Sequence, residues 1–228
     1  MHSTKENLQV IHEDNHLIIV NKRAGDIVQG DKTGDKPLSD IVKEYIKDKY
    51  NKPGAVFLGT VHRLDRPTSG VVIYARTSKA LERLNKMLRD KTIKKTYWAV
   101  VKNQPKKASD TLINFLKKNP KNNKSTAYSK EIDGSKKAIL RYQVKKKLDN
   151  YSLLEIDLET GRHHQIRVQL SNIGSTIKGD LKYGAKRNNK DGSIHLHARK
   201  IEFIHPVSKE LIKVTAPTPS DPIWDACS

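Results

Sequence analysis

The chain reads as an α+β protein built on a mixed sheet with peripheral helices. Short apolar runs, LIIV (17–20), GVVIYA (70–75) and TYWAVV (96–101), have strand length and strand composition. Two segments between them carry apolar residues at helical spacing. The chain closes on two strand-like segments joined by HPVSKE, a hairpin connection. Strands that come both in hairpins and separated by helices predict a mixed sheet rather than an all-parallel one.

The elements follow in order. Residues 17–20 predict a buried strand, and NKRAG after them is a turn signal. Leu38, Ile41, Val42, Tyr45 and Ile46 define one face of a helix opened by Asp35, Pro37 or Ser39. AVFLGTV (55–61) and GVVIYA predict strands on either side of the loop that holds His62, Arg63, Asp65 and Arg66. Thr77 or Ser78 is placed to cap a second helix with Leu81, Leu84 and Leu88 inward. A strand at 96–101 follows. Residues 102–130, rich in Lys, Asn and Pro, predict a long mobile loop with a short structured piece near 112–116. Alternating segments at 138–144 and 151–158 predict strands, and 161–173 a helix stopped by Asn172-Ile173-Gly174. Residues 194–204 and 211–215 complete the pattern.

Charge points to a partner. There are 44 Lys and Arg against 25 Asp and Glu, a net charge of +19, in a chain of 228 residues. Mean hydropathy is −0.70. Such an excess repels itself in a compact state, and a polyanion relieves it, nucleic acid being the usual one. An anionic membrane surface competes for that role, but no long basic amphipathic helix is present to lie on it. Cys227 is the only cysteine, which excludes an internal disulfide and a cysteine-based zinc site. No signal peptide and no run of transmembrane length is found, which predicts a soluble, cytoplasmic protein. The adjacent His163 and His164 would point about 100° apart on a helix, and His195-x-His197 on a strand lacks a third ligand nearby, so no metal site is expected.

The chemistry concentrates in VHRLDRPTSGVVIYART (61–77). Asp65 stands among arginines in a turn set by Pro67, Ser69 and Gly70. A carboxylate near guanidinium groups stays ionised, and beside phosphate-seeking cations it suits nucleophilic work on a polyanion. The plainer alternative is a surface Asx-turn with solvated arginines.

This segment resembles the catalytic motif of the RluA-type pseudouridine synthases, and other segments resemble the same family in the same order. They are VIHEDNHLIIVNKRAGDIV, KKTYWAVV (94–101), LETGRHHQIRVQL (158–170) followed by IKGDLKYG, and LHARKIEFIHP (196–206). Arg23 departs from the pattern, which usually has proline there. Together they span roughly residues 10–217. The resemblance implies the pseudouridine synthase catalytic fold, a curved mixed sheet with a basic cleft around Asp65, as one catalytic domain over 1–228. It implies isomerisation of uridine to pseudouridine in ribosomal or transfer RNA, with neither metal nor cofactor. It assigns catalysis to Asp65, to Arg162 as the buried partner of that carboxylate, and to Tyr97 as stacking ring and proton relay. Arg63 or Arg66 would fill the space left by the flipped base, Arg63 first, and Leu196 would floor the pocket.

With few residues ahead of Leu17, no separate N-terminal RNA-binding domain is expected, and a monomer is expected. A noncatalytic RNA-binding protein on the same scaffold is the alternative, with glycosidic hydrolysis third. The latter normally uses two carboxylates where the motifs offer one.

Overall fold

The computed structural model describes residues 2–31 and 33–227. The class is α+β, a mixed sheet with a few peripheral helices, as the sequence predicts. In chain order the elements begin with β1 (Val10–Glu13), β2 (Leu17–Lys22), α1 (Leu38–Lys49), β3 (Gly59–Thr60), β4 (Ser69–Ala75) and α2 (Ser78–Arg89). They continue with β5 (Lys94–Val101), β6 (Ser109–Asn119), β7 (Lys124–Tyr128), β8 (Lys136–Lys147), β9 (Ser152–Leu158) and α3 (Gln165–Asn172). A 3-10 turn at Leu181–Tyr183 precedes β10 (Leu196–Ile204), β11 (Leu211–Thr215) and α4 (Pro222–Cys227). No helix among the described residues is long and apolar enough to cross a membrane.

The chain forms two compact units. The first runs to Lys94 and takes up Ala198–Pro219; the second is Lys95–His197 with the residues from Ser220 onward.

In the first unit the strands run in the order β1-β2-β4-β10, with β3 on β4 and β11 on β10. All of β2 and β4 is buried, because both faces are covered. Leu17, Ile19, Val71 and Ile73 pack with Ala80 and Leu84 of α2, while Ile18, Val20, Val72 and Tyr74 pack with Leu38, Val42 and Ile46 of α1. Alternation along each strand therefore feeds two cores. Thr77 caps α2 as expected, its hydroxyl accepting from the Ala80 amide. Helix α1 begins after Pro37, which offers no side-chain cap.

In the second unit the order is β5-β9-β8-β6-β7, every recorded pair antiparallel. Leu116 and Ala138 on one face of this ladder meet Val168 of α3 and Tyr183.

Three expectations are corrected. The strand at 55–61 shrinks to Gly59–Thr60, and Phe57 is exposed, since the segment before it finds no ladder partner. Residues 102–130 are not a long loop: they form the β6–β7 hairpin, turned at 120–123 with Asn123 left-handed. Only one face of that hairpin is buried, so its apolar content falls below the level that marks a strand. The helix at 161–173 starts later, at Gln165, because His164 adopts a left-handed φ of 54°. Its stop is as expected, with Gly174 left-handed and the Ser175 amide bonded to the Leu170 carbonyl. β1, the 3-10 turn and α4 have no clear sequence signal.

Gly70, the second residue of β4, has a φ of +115°, and a Cβ there would come within 2.8 Å of three backbone atoms of Ala198. Gly70→Ala is expected to cost at least 1–3 kcal/mol, roughly the dihedral strain alone. A urea midpoint equal to that of the parent would show that the strand pair relaxes freely.

Candidate active site

The Asp65 loop is tied down from below by a lysine. Lys22, the last residue of β2, is 1% exposed. Its ammonium donates to the carbonyls of Arg23 (2.9 Å), Arg66 (3.1 Å) and Thr68 (2.8 Å). The Gly25 amide adds a bond to the Arg66 carbonyl at 2.8 Å, from a turn that Gly25 makes possible with a φ of +96°. NKRAG and DRPTSG are thus joined around one buried amine. The Thr68 amide bonds the Asp65 carbonyl at 3.0 Å and closes the turn itself. Burial pulls the Lys22 ammonium down to about 7, while the charges of Asp26 and Asp65 act to retain its proton. Three carbonyl acceptors do the same, since only the ammonium offers three donors.

The loop's side chains diverge. Asp65 is half-buried and Arg63 is exposed. Arg66 does not turn to Asp65: it donates to Asp35 at 2.6 Å and to the Thr33 hydroxyl at 2.9 Å, tethering the 33–35 segment. The Ile73 amide is 3.2 Å from Nε2 of His62, and Leu64 packs on the α1 core.

The second unit carries the other expected residues. Tyr97 on β5 is 7% exposed and pairs with Ile156 of β9. Leu196 opens β10 and is 4% exposed. Arg162 corrects an expectation. It is exposed, and its Nε donates to the Lys137 carbonyl at 3.0 Å, so it does not have the burial expected of it. The reason is local: the left-handed His164 holds 161–164 outside the helix, and Arg162 faces solvent.

The buried guanidinium of GRHHQIR is Arg167, on α3. It is 5% exposed and grips Asp180 with two bonds, 2.7 and 2.8 Å. Its guanidinium also lies 5.1 Å from the centre of the Tyr183 ring. Helical spacing on an apolar face is the signal that could have separated Arg167 from Arg162. Lys95 escapes sequence reasoning as well. It shares a strand face with Tyr97, and burial lowers its ammonium from the ordinary value.

The histidine pairs have structural partners. His163 and His164 stack at 3.8 Å; Nδ1 of His163 lies 2.9 Å from the Ser125 hydroxyl and Nδ1 of His164 lies 2.9 Å from the Tyr183 hydroxyl. His195 is buried against Trp224, accepts from the Asn189 amide at Nδ1, and so carries its proton on Nε2 toward Asp221 at 3.1 Å. Burial lowers its pKa, consistent with that neutral tautomer. Among the described residues no group of three or more His, Cys, Asp or Glu is arranged to hold a metal ion.

Comparison with known proteins supplies the class. The RNA pseudouridylate synthase family matches residues 16–172. Ribosomal large subunit pseudouridine synthase C of Buchnera aphidicola is 36% identical over 96% of this chain and 70% of its own length. An uncharacterized RNA pseudouridine synthase of Synechocystis is 34% identical over 93% of this chain and 66% of its own. The chain thus spans about two thirds of the length of such relatives. Human RNA pseudouridylate synthase domain containing 4 has the same fold, with a TM-score of 0.79 at 22% identity over 96% of this chain and 92% of that one. The chain belongs to the RNA pseudouridine synthase family of isomerases.

Lys22 gives this subsection its test. Folding favours the neutral amine, so between pH 7 and the ordinary 10.5 the unfolded chain binds more protons. The contribution of Lys22 to stability therefore rises with pH across that window. Lys22→Met should lose on the order of 2–4 kcal/mol, because carbonyls are left without donors. The deficit should widen from about pH 7 to about pH 9.5 in urea titrations. A deficit that stays constant across that window would mean the lysine is held charged throughout.

Proposed function

We propose that this protein isomerises uridine in ribosomal RNA to pseudouridine, with Asp65 as the reacting carboxylate. The observation that carries the reading is the Asp65 loop, held just after Asp65 by the buried Lys22 amine, which bonds the carbonyls of Arg66 and Thr68. A reacting carboxylate must be held still, and a loop whose carbonyls are bonded from beneath is held. Ribosomal RNA is favoured because relatives at 32–36% identity are named as synthases of the ribosomal large subunit. The net charge of +19 supports a polyanionic substrate.

The reaction breaks the bond between ribose C1′ and uracil N1 and makes a bond from C1′ to C5. A proton leaves C5 and another is gained at N1, so the product is an isomer. Asp65 supplies the carboxylate for the sugar or the ring during this exchange. Tyr97 supplies a ring for the uracil and a hydroxyl to move the C5 proton. A base must leave its stack to be reached, and Arg63 fills the vacancy. Arg63 is favoured over Arg66 because the latter is occupied by Asp35 and Thr33. Arg162, exposed, is available to phosphate, and the family resemblance assigns Leu196 to the uracil-binding residues.

Nucleoside analysis of RNA treated with purified protein tests the chemistry. Asp65→Asn should bind RNA but form no pseudouridine; multiple-turnover isomerisation by that variant would overturn the role of Asp65. Unchanged uridine with the parent protein would mark a noncatalytic RNA binder, and released uracil a hydrolase. Pseudouridine mapping in cells lacking the protein should lose a site in ribosomal RNA; a loss confined to transfer RNA would overturn the substrate.

Tyr97→Phe separates the two roles of that side chain. Affinity should be near that of the parent, with turnover reduced by roughly a hundredfold or more. Parental turnover would leave Tyr97 as a stacking ring alone.

A further inference from the structure

The β6–β7 hairpin has two faces of opposite character. Leu116 and Ala127 on one face pack toward Val168 and Tyr183. The opposite face follows from the register: Phe115 lies across from Tyr128 on β7 and from Lys137 on β8, while Lys117 lies across from Thr126 and Ile113 from Ile139. On that face Ile113 is 53% exposed, Phe115, Tyr128 and Ile139 are half-exposed, and Lys117 and Lys137 are exposed. Directly opposed residues in an antiparallel pair are neighbours, so Phe115 and Tyr128 share this face with lysines beside them.

The inner face holds the hairpin firmly. The Ser125 amide donates to the Tyr183 hydroxyl at 2.8 Å, and its own hydroxyl bonds the His163 carbonyl at 2.9 Å. Lys182 reaches the carbonyls of Asn122 and Asn123 at the turn. The hairpin is therefore anchored on one side and open on the other.

Charge selects the occupant. Residues 117–137 contain seven lysines against Glu131 and Asp133. Lys117, Lys118, Lys121, Lys136 and Lys137 have no carboxylate partner among the described residues. Arg162, bonded to the Lys137 carbonyl, adds a guanidinium next to the same strand. A protein partner would suit the apolar patch but would have to supply the missing carboxylates. A nucleic acid strand satisfies both features at once, since bases stack on aromatic rings and phosphates meet lysines.

We propose that the outer face of the β6–β7 hairpin is an RNA-docking surface, which stacks unpaired bases on Phe115 and Tyr128 and takes phosphates on Lys117 and Lys137. The proposal rests on the reading of the protein as an RNA-modifying enzyme, and it adds a contact outside the reacting residues. It gives the hairpin a part in selecting RNAs with a single-stranded segment near the target uridine.

The test measures affinity and chemistry separately. Affinity is read by fluorescence anisotropy of an unstructured, labelled RNA oligonucleotide across a range of salt. Lys117→Glu with Lys137→Glu should weaken binding at least tenfold. The salt slope should become shallower by about 1.4, at roughly 0.7 for each phosphate contact with single strands. Phe115→Leu with Tyr128→Leu keeps apolar bulk while removing both rings, and should weaken binding about fivefold or more. Isomerisation at saturating RNA should stay near the parental rate in both, and circular dichroism should report an unchanged fold. Parental affinity and salt slope in the folded charge-reversal variant would overturn the surface, whatever the enzyme does. A parent that forms no pseudouridine, yet loses RNA on charge reversal, would overturn the enzymatic reading and leave the surface standing.

Discussion

The Lys22 amine is the interaction on which the geometry of the Asp65 loop depends. It lies at the end of a fully buried strand, where an amine that found no acceptor would be intolerable. Its three acceptors are backbone carbonyls from two loops, two of them within the Asp65 segment. Carbonyls at a turn cannot pair with a neighbouring strand, and this cation completes their bonding from within. The same contact fixes where Arg66 and Thr68 run, and with them the carboxylate between β3 and β4. A buried charge is a weak source of net stability but a strong source of unique geometry when every donor is used. For a loop proposed to present a single reacting carboxylate, geometry is the quantity that matters.

The second unit solves an equivalent problem with an ion pair. Arg167 and Asp180 are 5% and 1% exposed and make two parallel bonds. Two lone buried charges would each cost several kcal/mol; the bidentate geometry and the Tyr183 ring beneath the guanidinium offset much of this. Tyr183 then bonds Ser125 of β7 and lies 2.9 Å from His164 at the start of α3. The pair therefore connects the helix start, the 3-10 turn and the hairpin through polar contacts with defined directions, which apolar packing alone would not specify.

Most of the fold was legible because the first unit obeys simple periodicity. β2, β4 and both helices were visible from apolar spacing, and Thr77 from its position before such a run. The site was legible only by type. HRLDRPTSG announced itself, but nothing in Arg162 and Arg167 as residue types says which is buried. That was decided by the left-handed His164, which moves the helix start by four residues. No residue-type signal separates Lys22 in a chain with 44 basic residues, although its position at the end of an apolar run is a hint. β3 was overestimated because an apolar segment does not guarantee a neighbouring strand. The β6–β7 hairpin was hidden for the opposite reason: its strands have partners but only one apolar face.

That last failure has a physical origin that also bears on function. β7 ends its ladder and has an open edge, a template for unwanted pairing with other chains. Lysines at and beside an edge suppress such pairing by repulsion, and they lower the mean hydropathy of the segment to that of a loop. An edge guarded in this way is attractive to one kind of extended polymer, a nucleic acid strand, whose charge is opposite and whose bases can use the aromatic rings that remain. Solubility and RNA docking thus ask for the same residues at the same place. A carboxylate guard would protect the edge equally well against other copies of the chain, and would repel the substrate. The choice of lysine over glutamate at 117, 118, 121 and 124 is therefore explained by RNA and left unexplained by solubility alone.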